Sequence, residues 1–114
     1  MIDDEYYNPL LPGSNDQKIL FIRSNLSLAA ILEQLAEEAS ELSQAALKKA
    51  RKLREENPTP KSLGEIDDNL VEEIADVNLC TDVLKVSIMA RIYDFKLDRW
   101  HRRIIQKQEE EQCK

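Results

Sequence analysis

The sequence predicts an all-α bundle, and three observations predict it. Only two Gly and four Pro occur in 114 residues, and Pro9, Pro12, Pro58 and Pro60 all fall outside the stretches with helical spacing. Over two long stretches, apolar residues recur at alternating steps of four and three, the signature of one buried helix face. No segment reads as a strand. With 42% apolar and 33% charged residues, the balance suits a folded helical protein rather than a disordered one. The length predicts one domain, residues 16–112, preceded by an irregular arm, residues 1–15. A chain this short buries a modest share of its surface, so a second copy of itself is a natural way to complete the core.

Taken in order, Asn8-Pro9, Pro12-Gly13 and Ser14-Asn15 are turn formers, and the arm they punctuate has Tyr6, Tyr7, Leu10 and Leu11 with which to dock. A short helical turn is expected over Asp16 to Ile22. Ser24-Asn25 or Ser27 then offers an N-cap. The first long helix is expected at about 26–55, with Leu28, Leu32, Leu35, Ala39, Leu42, Ala46 and Leu53 forming its apolar stripe. The run from Asn57 to Gly64 holds two Pro and one Gly and predicts a surface loop. Asp67 or Asp68 then starts a second long helix, with Leu70, Ile74, Val77, Thr81, Leu84 and Ile88 on its stripe. From Val77 to Val86 that helix is apolar on almost every side, as at the centre of a bundle or in a subunit interface. Ser87 is placed either to cap a fresh helix or to lie within a continuous one. The last helix, to about residue 111, carries Tyr93, Leu97, Trp100 and Ile104 on one face and Lys96, Arg99 and Arg103 beside them.

Charge and cysteine content exclude several classes of function. The net charge is −6 and the pI about 4.8, without the dominant basic surface of a nucleic-acid binder. Cys80, Cys113 and one His do not make a zinc site. No apolar run approaches the roughly 20 residues that span a bilayer, and the N-terminus has no signal-peptide pattern. A cytoplasmic protein without membrane or nucleic-acid partners is the expectation.

The informative feature is acidic. Glu38 and Glu41 each precede a stripe residue of the first long helix, and Glu73 and Asp76 do the same in the second. Residues three apart on a helix point about 60° apart, so each pair presents two carboxylates to one side, beside the apolar seam. Packing the two helices together brings four acids near one point. Crowded carboxylates resist ionisation unless a cation joins them, and hard oxygen ligands without His or thiolate select Mg²⁺ or Mn²⁺ over zinc. Glutamates bordering a helical seam are often only solvated. Here the next residues on that side, Ala45 and Cys80, are small, and no Lys follows to pair with the acids.

The segment Glu37-Glu38-Ala39-Ser40-Glu41, a loop, and then Glu73-Ile74-Ala75-Asp76 resembles the EExxE…ExxD signature of MazG-like pyrophosphatases, a group that includes the dimeric dUTPases and phosphoribosyl-ATP pyrophosphatase among its relatives. The flanks "LAEEASELSQAALK", "ENPTPKS", "NLVEEIADV" and "KLDRW" are similar too, so the resemblance covers about residues 28–103. It implies a MazG-like helical bundle of two long helices plus a C-terminal helix, completed by oligomerisation to a dimer or tetramer. It implies Mg²⁺, with Mn²⁺ as a substitute, held by Glu38, Glu41, Glu73 and Asp76. The activity implied is hydrolysis of an NTP or dNTP between the α- and β-phosphates, giving a monophosphate and pyrophosphate, as in nucleotide-pool housecleaning. Water activated by the metal attacks the α-phosphorus in that chemistry, while metal and basic residues take up charge on the leaving group.

Glu37 points about 100° from Glu38 and is either a hydrogen-bonding support or a solvated residue. Lys96 and Arg99 lie three apart, suited to phosphate oxygens, and match a basic pair of this family; a solvated basic face is the alternative. Lys48 continues the Glu38–Glu41 side by a further turn and is a third phosphate candidate. Trp100 and Tyr93 are placed either to stack a base or to anchor packing. His101 receives no role, and no residue identifies the base. Two other functions compete with this one: a phosphoribosyl-ATP-type pyrophosphatase, and a non-catalytic helical interaction module.

Overall fold

The computed structural model describes residues 13–55, 60–84 and 90–113. Among them are four helices and no strand: α1 (Asn15–Asn25), α2 (Leu28–Arg54), α3 (Leu63–Leu84) and α4 (Ala90–Gln112). The arm residues Tyr6, Tyr7, Leu10 and Leu11, and the Ser87 cap, lie outside the described residues.

The short helical turn expected over Asp16 to Ile22 is part of a longer capped helix of 11 residues. Ser14 is its N-cap. The Ser14 hydroxyl accepts from the Gln17 N–H at 3.2 Å, and the Gln17 side-chain oxygen accepts from the Ser14 N–H at 3.0 Å, so the two orphan donors satisfy each other. Gly13 makes this possible. Its φ of +135° belongs to glycine, and a Cβ there would stand 3.1 Å from the same Gln17 oxygen.

Ser27 caps α2 by accepting from the Ala30 N–H at 3.1 Å. At the other end Glu55 turns left-handed, with φ 56°, and its N–H closes on the Arg51 carbonyl. Arg51, Lys52 and Arg54 crowd that last turn, where the helix dipole favours cations. The third helix begins four residues before the expected Asp67. Ser62 caps it by accepting from the Glu65 N–H at 3.2 Å, and Gly64 is absorbed into the first turn rather than ending the loop.

Helices α2 and α3 pack along each other; α3 uses most of its expected stripe, with Leu70, Val77, Thr81 and Leu84 covered, while α2 departs from its own. The covered row of α2 is Ile31, Leu35, Glu38, Leu42, Ala45 and Lys49, again in steps of four and three, with Ala30, Ala50 and Lys52 half-buried beside it. On α3 the row is Ile66, Leu70, Glu73, Val77, Cys80 and Leu84, with Val83 buried and Asp67, Asn69 and Thr81 half-buried beside it. Relative to its apolar stripe, α2 is therefore turned by about 50°. Leu35 and Leu42 belong to both faces, while Leu28, Leu32 and Leu53 remain 63%, 46% and 64% exposed. Ala45 explains the choice. It is the most buried core residue among those described, at 1% exposure, and its small side chain leaves room for the two backbones to approach. Ile74, expected on the α3 stripe, is likewise exposed.

One polar clip joins the pair and a second ties α1 to α3. Lys49 forms an ion pair with Asp67 across the two helices. At the other end the Arg23 guanidinium, from α1, donates to the Val83 carbonyl at 2.9 Å and the Asp82 carbonyl at 3.1 Å. Those carbonyls lie in the last described turn of α3. Arg23 thus docks α1, which buries no residue of its own, onto α3. Replacing it (Arg23→Ala) is expected to cost about 1–2 kcal/mol, the value of charge-assisted bonds that are partly solvated, read as a lower urea midpoint with the α-helical signal retained.

Helix α4 is exposed at every described side chain from 91 to 113. Its stripe residues Tyr93, Leu97, Trp100 and Ile104 are 50–67% exposed. The whole chain exposes 10101 Å², against about 6,400 Å² for a compact folded chain of its mass. Its radius of gyration is 19.0 Å, where compact packing of this length gives about 13 Å. One copy does not close its own core.

Candidate metal centre

Rotating α2 onto α3 puts Glu38 and Glu73 in the seam itself instead of beside it. Each is followed three residues later by the second acid of its pair, so Glu41 and Asp76 stand on the solvent side. Each of the four residues offers a carboxylate oxygen within 4.8 Å of the others. Opposite ligands of one Mg²⁺ lie about 4 Å apart, so this spread suits one ion or a close pair.

Exposed acids often gather without an ion, and proximity alone decides nothing. Burial decides it. Glu38 Oε2 and Glu73 Oε2 are shielded from solvent and have no hydrogen-bond partner. None of the four carboxylates has a Lys or Arg partner among the described residues. Orphaned carboxylate oxygens facing other carboxylates are costly unless a cation takes them up.

Burial pushes the Glu38 carboxyl above its ordinary range, and the negative charges of Asp76 and Glu41 push the same way. Gln34 opposes them: one turn earlier on α2, its amide nitrogen donates to Glu38 Oε1 at 2.8 Å and fixes the carboxylate's orientation. The Cys80 thiol is pushed up as well, by burial first and then by Glu38 and Asp76. It stays protonated and serves as a packing residue.

The other sequence-derived candidates do not join the cluster. Glu37 is exposed on an adjacent side of α2. Lys48 is exposed on α2, one helical stretch beyond Glu41. Lys96 and Arg99 lie on the exposed α4, neither paired with the four acids, and the Arg99 guanidinium sits 5.9 Å from the Phe95 ring centroid. Trp100 and Tyr93 are exposed. Sequence reasoning missed Gln34, although its i,i+4 spacing to Glu38 was a readable signal. It also missed the Lys49–Asp67 and Arg23 clips, which depend on the pairing of distant segments. Comparison of the chain with family models, with curated proteins and with solved structures returns no match.

Proposed function

We propose that this chain is a Mg²⁺-dependent nucleoside triphosphate pyrophosphohydrolase of the MazG-like kind, cleaving between the α- and β-phosphates and working as a homo-oligomer in nucleotide-pool housecleaning. The observation that carries the reading is the pair of buried, partnerless oxygens of Glu38 and Glu73 inside the four-acid cluster. It coincides residue by residue with the resemblance to EExxE…ExxD. A purely structural module would have no reason to keep such acids in a seam between two helices, where apolar side chains cost nothing.

The donor set is all oxygen and suits Mg²⁺ or Mn²⁺. Glu38 and Glu73 supply the inner oxygens and Glu41 and Asp76 the outer ones, while Gln34 keeps Glu38 aimed. Bound there, the ion would neutralise phosphate charge and acidify a water for attack on phosphorus. The solvent-side placement of Glu41 and Asp76 leaves room for a polyphosphate to approach. Lys96 and Arg99 are suited to the leaving pyrophosphate when oligomerisation covers α4. The chain has no Gly-rich loop followed by Lys to cradle β- and γ-phosphates for terminal transfer.

The test is a panel of canonical and modified nucleotides, phosphoribosyl-ATP included, with Mg²⁺ present and pyrophosphate as the readout. Run in ¹⁸O-labelled water, the productive reaction is expected to place the label in the monophosphate. Label in orthophosphate, with a nucleoside diphosphate beside it, would sink the reading.

A further inference from the structure

The two helices that carry the acid cluster differ sharply in cations. Helix α3 has no Lys or Arg at all, while α2 ends in Lys48, Lys49, Arg51, Lys52 and Arg54. These five are not equivalent. Lys49 is held by Asp67, and Lys52 has a partner as well. Lys48 is exposed and makes no ion pair or hydrogen bond among the described residues.

Position separates the remaining three. Seven residues after Glu41, Lys48 returns to within about 20° of its bearing, about 10 Å further along the axis. Arg51 and Arg54 fall about 80° and 140° away from that bearing and further off. Helical side chains lean toward the N-terminus, so the Lys48 stem carries its ammonium back toward the acids by roughly one turn. Along the solvent side of α2, an exposed carboxylate of the cluster is thus followed by an exposed cation on nearly the same bearing.

We propose that Lys48 receives the terminal phosphate of a triphosphate whose inner phosphates are held at the cluster, so that it sets the preference for triphosphates over shorter phosphates. Lys49, its neighbour in sequence, is the structural one of the two. This assignment rests on the metal-centre reading above. It makes a division of labour: the acids and their ions hold the charge nearest the scissile bond, and Lys48 measures chain length. In a protein of net charge −6, a cation at the far end of the substrate also offsets repulsion from the acidic surface.

The experiment uses the assembled full chain with Mg²⁺ and two base-free probes, inorganic tripolyphosphate and orthophosphate, followed by calorimetry. Lys48→Met is expected to weaken tripolyphosphate binding about 10-fold or more, the loss of one charge-assisted contact. Orthophosphate binding and a Mn²⁺ titration without phosphate should stay as in the wild type. Lys48→Arg should retain most of the tripolyphosphate affinity. If Lys48→Met leaves tripolyphosphate binding unchanged, or weakens both probes equally, Lys48 does not measure chain length. If the wild type itself shows no Mg²⁺-dependent binding of tripolyphosphate, the metal-centre reading fails and takes this assignment with it.

Discussion

Glu38→Gln is expected to act in opposite directions with and without Mg²⁺. Without metal the variant should melt higher than the wild type at pH 7–8, because it removes a charge from a partly buried position facing Glu41 and Asp76. Gln34 can still donate to the amide oxygen, so local geometry survives. The pH dependence follows the same logic. The Glu38 carboxyl titrates above the ordinary 4.5 in the folded chain, so the folded state binds more protons than the unfolded one. The contribution of Glu38 to stability is then full below about 4.5 and is lost as pH rises through the raised folded value. The glutamine variant lacks that loss. With Mg²⁺ the order reverses. At a hundredfold excess over Kd, an ion bound only by the folded state adds about 2.7 kcal/mol, roughly 10 °C or more in a chain this size. Glu38→Gln should forfeit that gain and lose at least about 100-fold in kcat, since residues that merely orient a metal ligand already cost 10–100-fold. Full metal stabilisation and full activity in the variant would show that the cluster is not the site.

The second large effect concerns assembly. Light scattering coupled to size exclusion is expected to give a mass two or four times 13.2 kDa. Leu32→Asp should lower that mass while the helical signal persists. Leu32 is 46% exposed and lies on the α2 face turned away from α3, so a charge there leaves the α2–α3 seam alone. In a twofold interface the substitution acts twice, and a hot-spot loss of about 2 kcal/mol per copy gives roughly a 10²–10³-fold rise in dissociation constant. A stable monomer at micromolar concentration for the wild type would contradict this outright. So would an unchanged mass in both Leu32→Asp and Trp100→Asp.

Helical identity and the acid pairs were legible in the sequence because both are local. The expected span of about 26–55 meets α2 at Leu28–Arg54 within a residue or two at each end, and the spacing of Glu38 with Glu41 and of Glu73 with Asp76 needs only one helical turn. The α2 side of the seam was not legible, for a physical reason. Helix α2 has two covered or coverable faces, and periodicity reports their average, with Leu35 and Leu42 common to both. Only the partner helix decides which side of the average is used, and Ala45 tips it by allowing close approach. Helix α1 was underestimated because Ser14 and Gln17 cap it from within a turn-rich stretch. Helix α3 began early because Ser62 capped it ahead of a glycine that reads as a breaker. Lys49 meeting Asp67 requires the register of two helices across a loop, and Arg23 reaching Val83 requires a contact sixty residues apart.

That last separation orders the assembly of the chain. Contacts between α2 and α3 span a short connection, so the cost of closing them is modest, whereas the Arg23 contact must enclose the entire pair. The hairpin of α2 and α3 is therefore expected to form first, with all four acids already in place, and α1 to arrive late. An interaction that forms after the rate-limiting step leaves the folding rate alone and appears in the unfolding rate. In stopped-flow traces Arg23→Ala should then steepen escape from the native state without slowing its formation. The acid cluster is thus expected to assemble before α1 arrives, with α1 as a kinetic bolt on a hairpin that is already built.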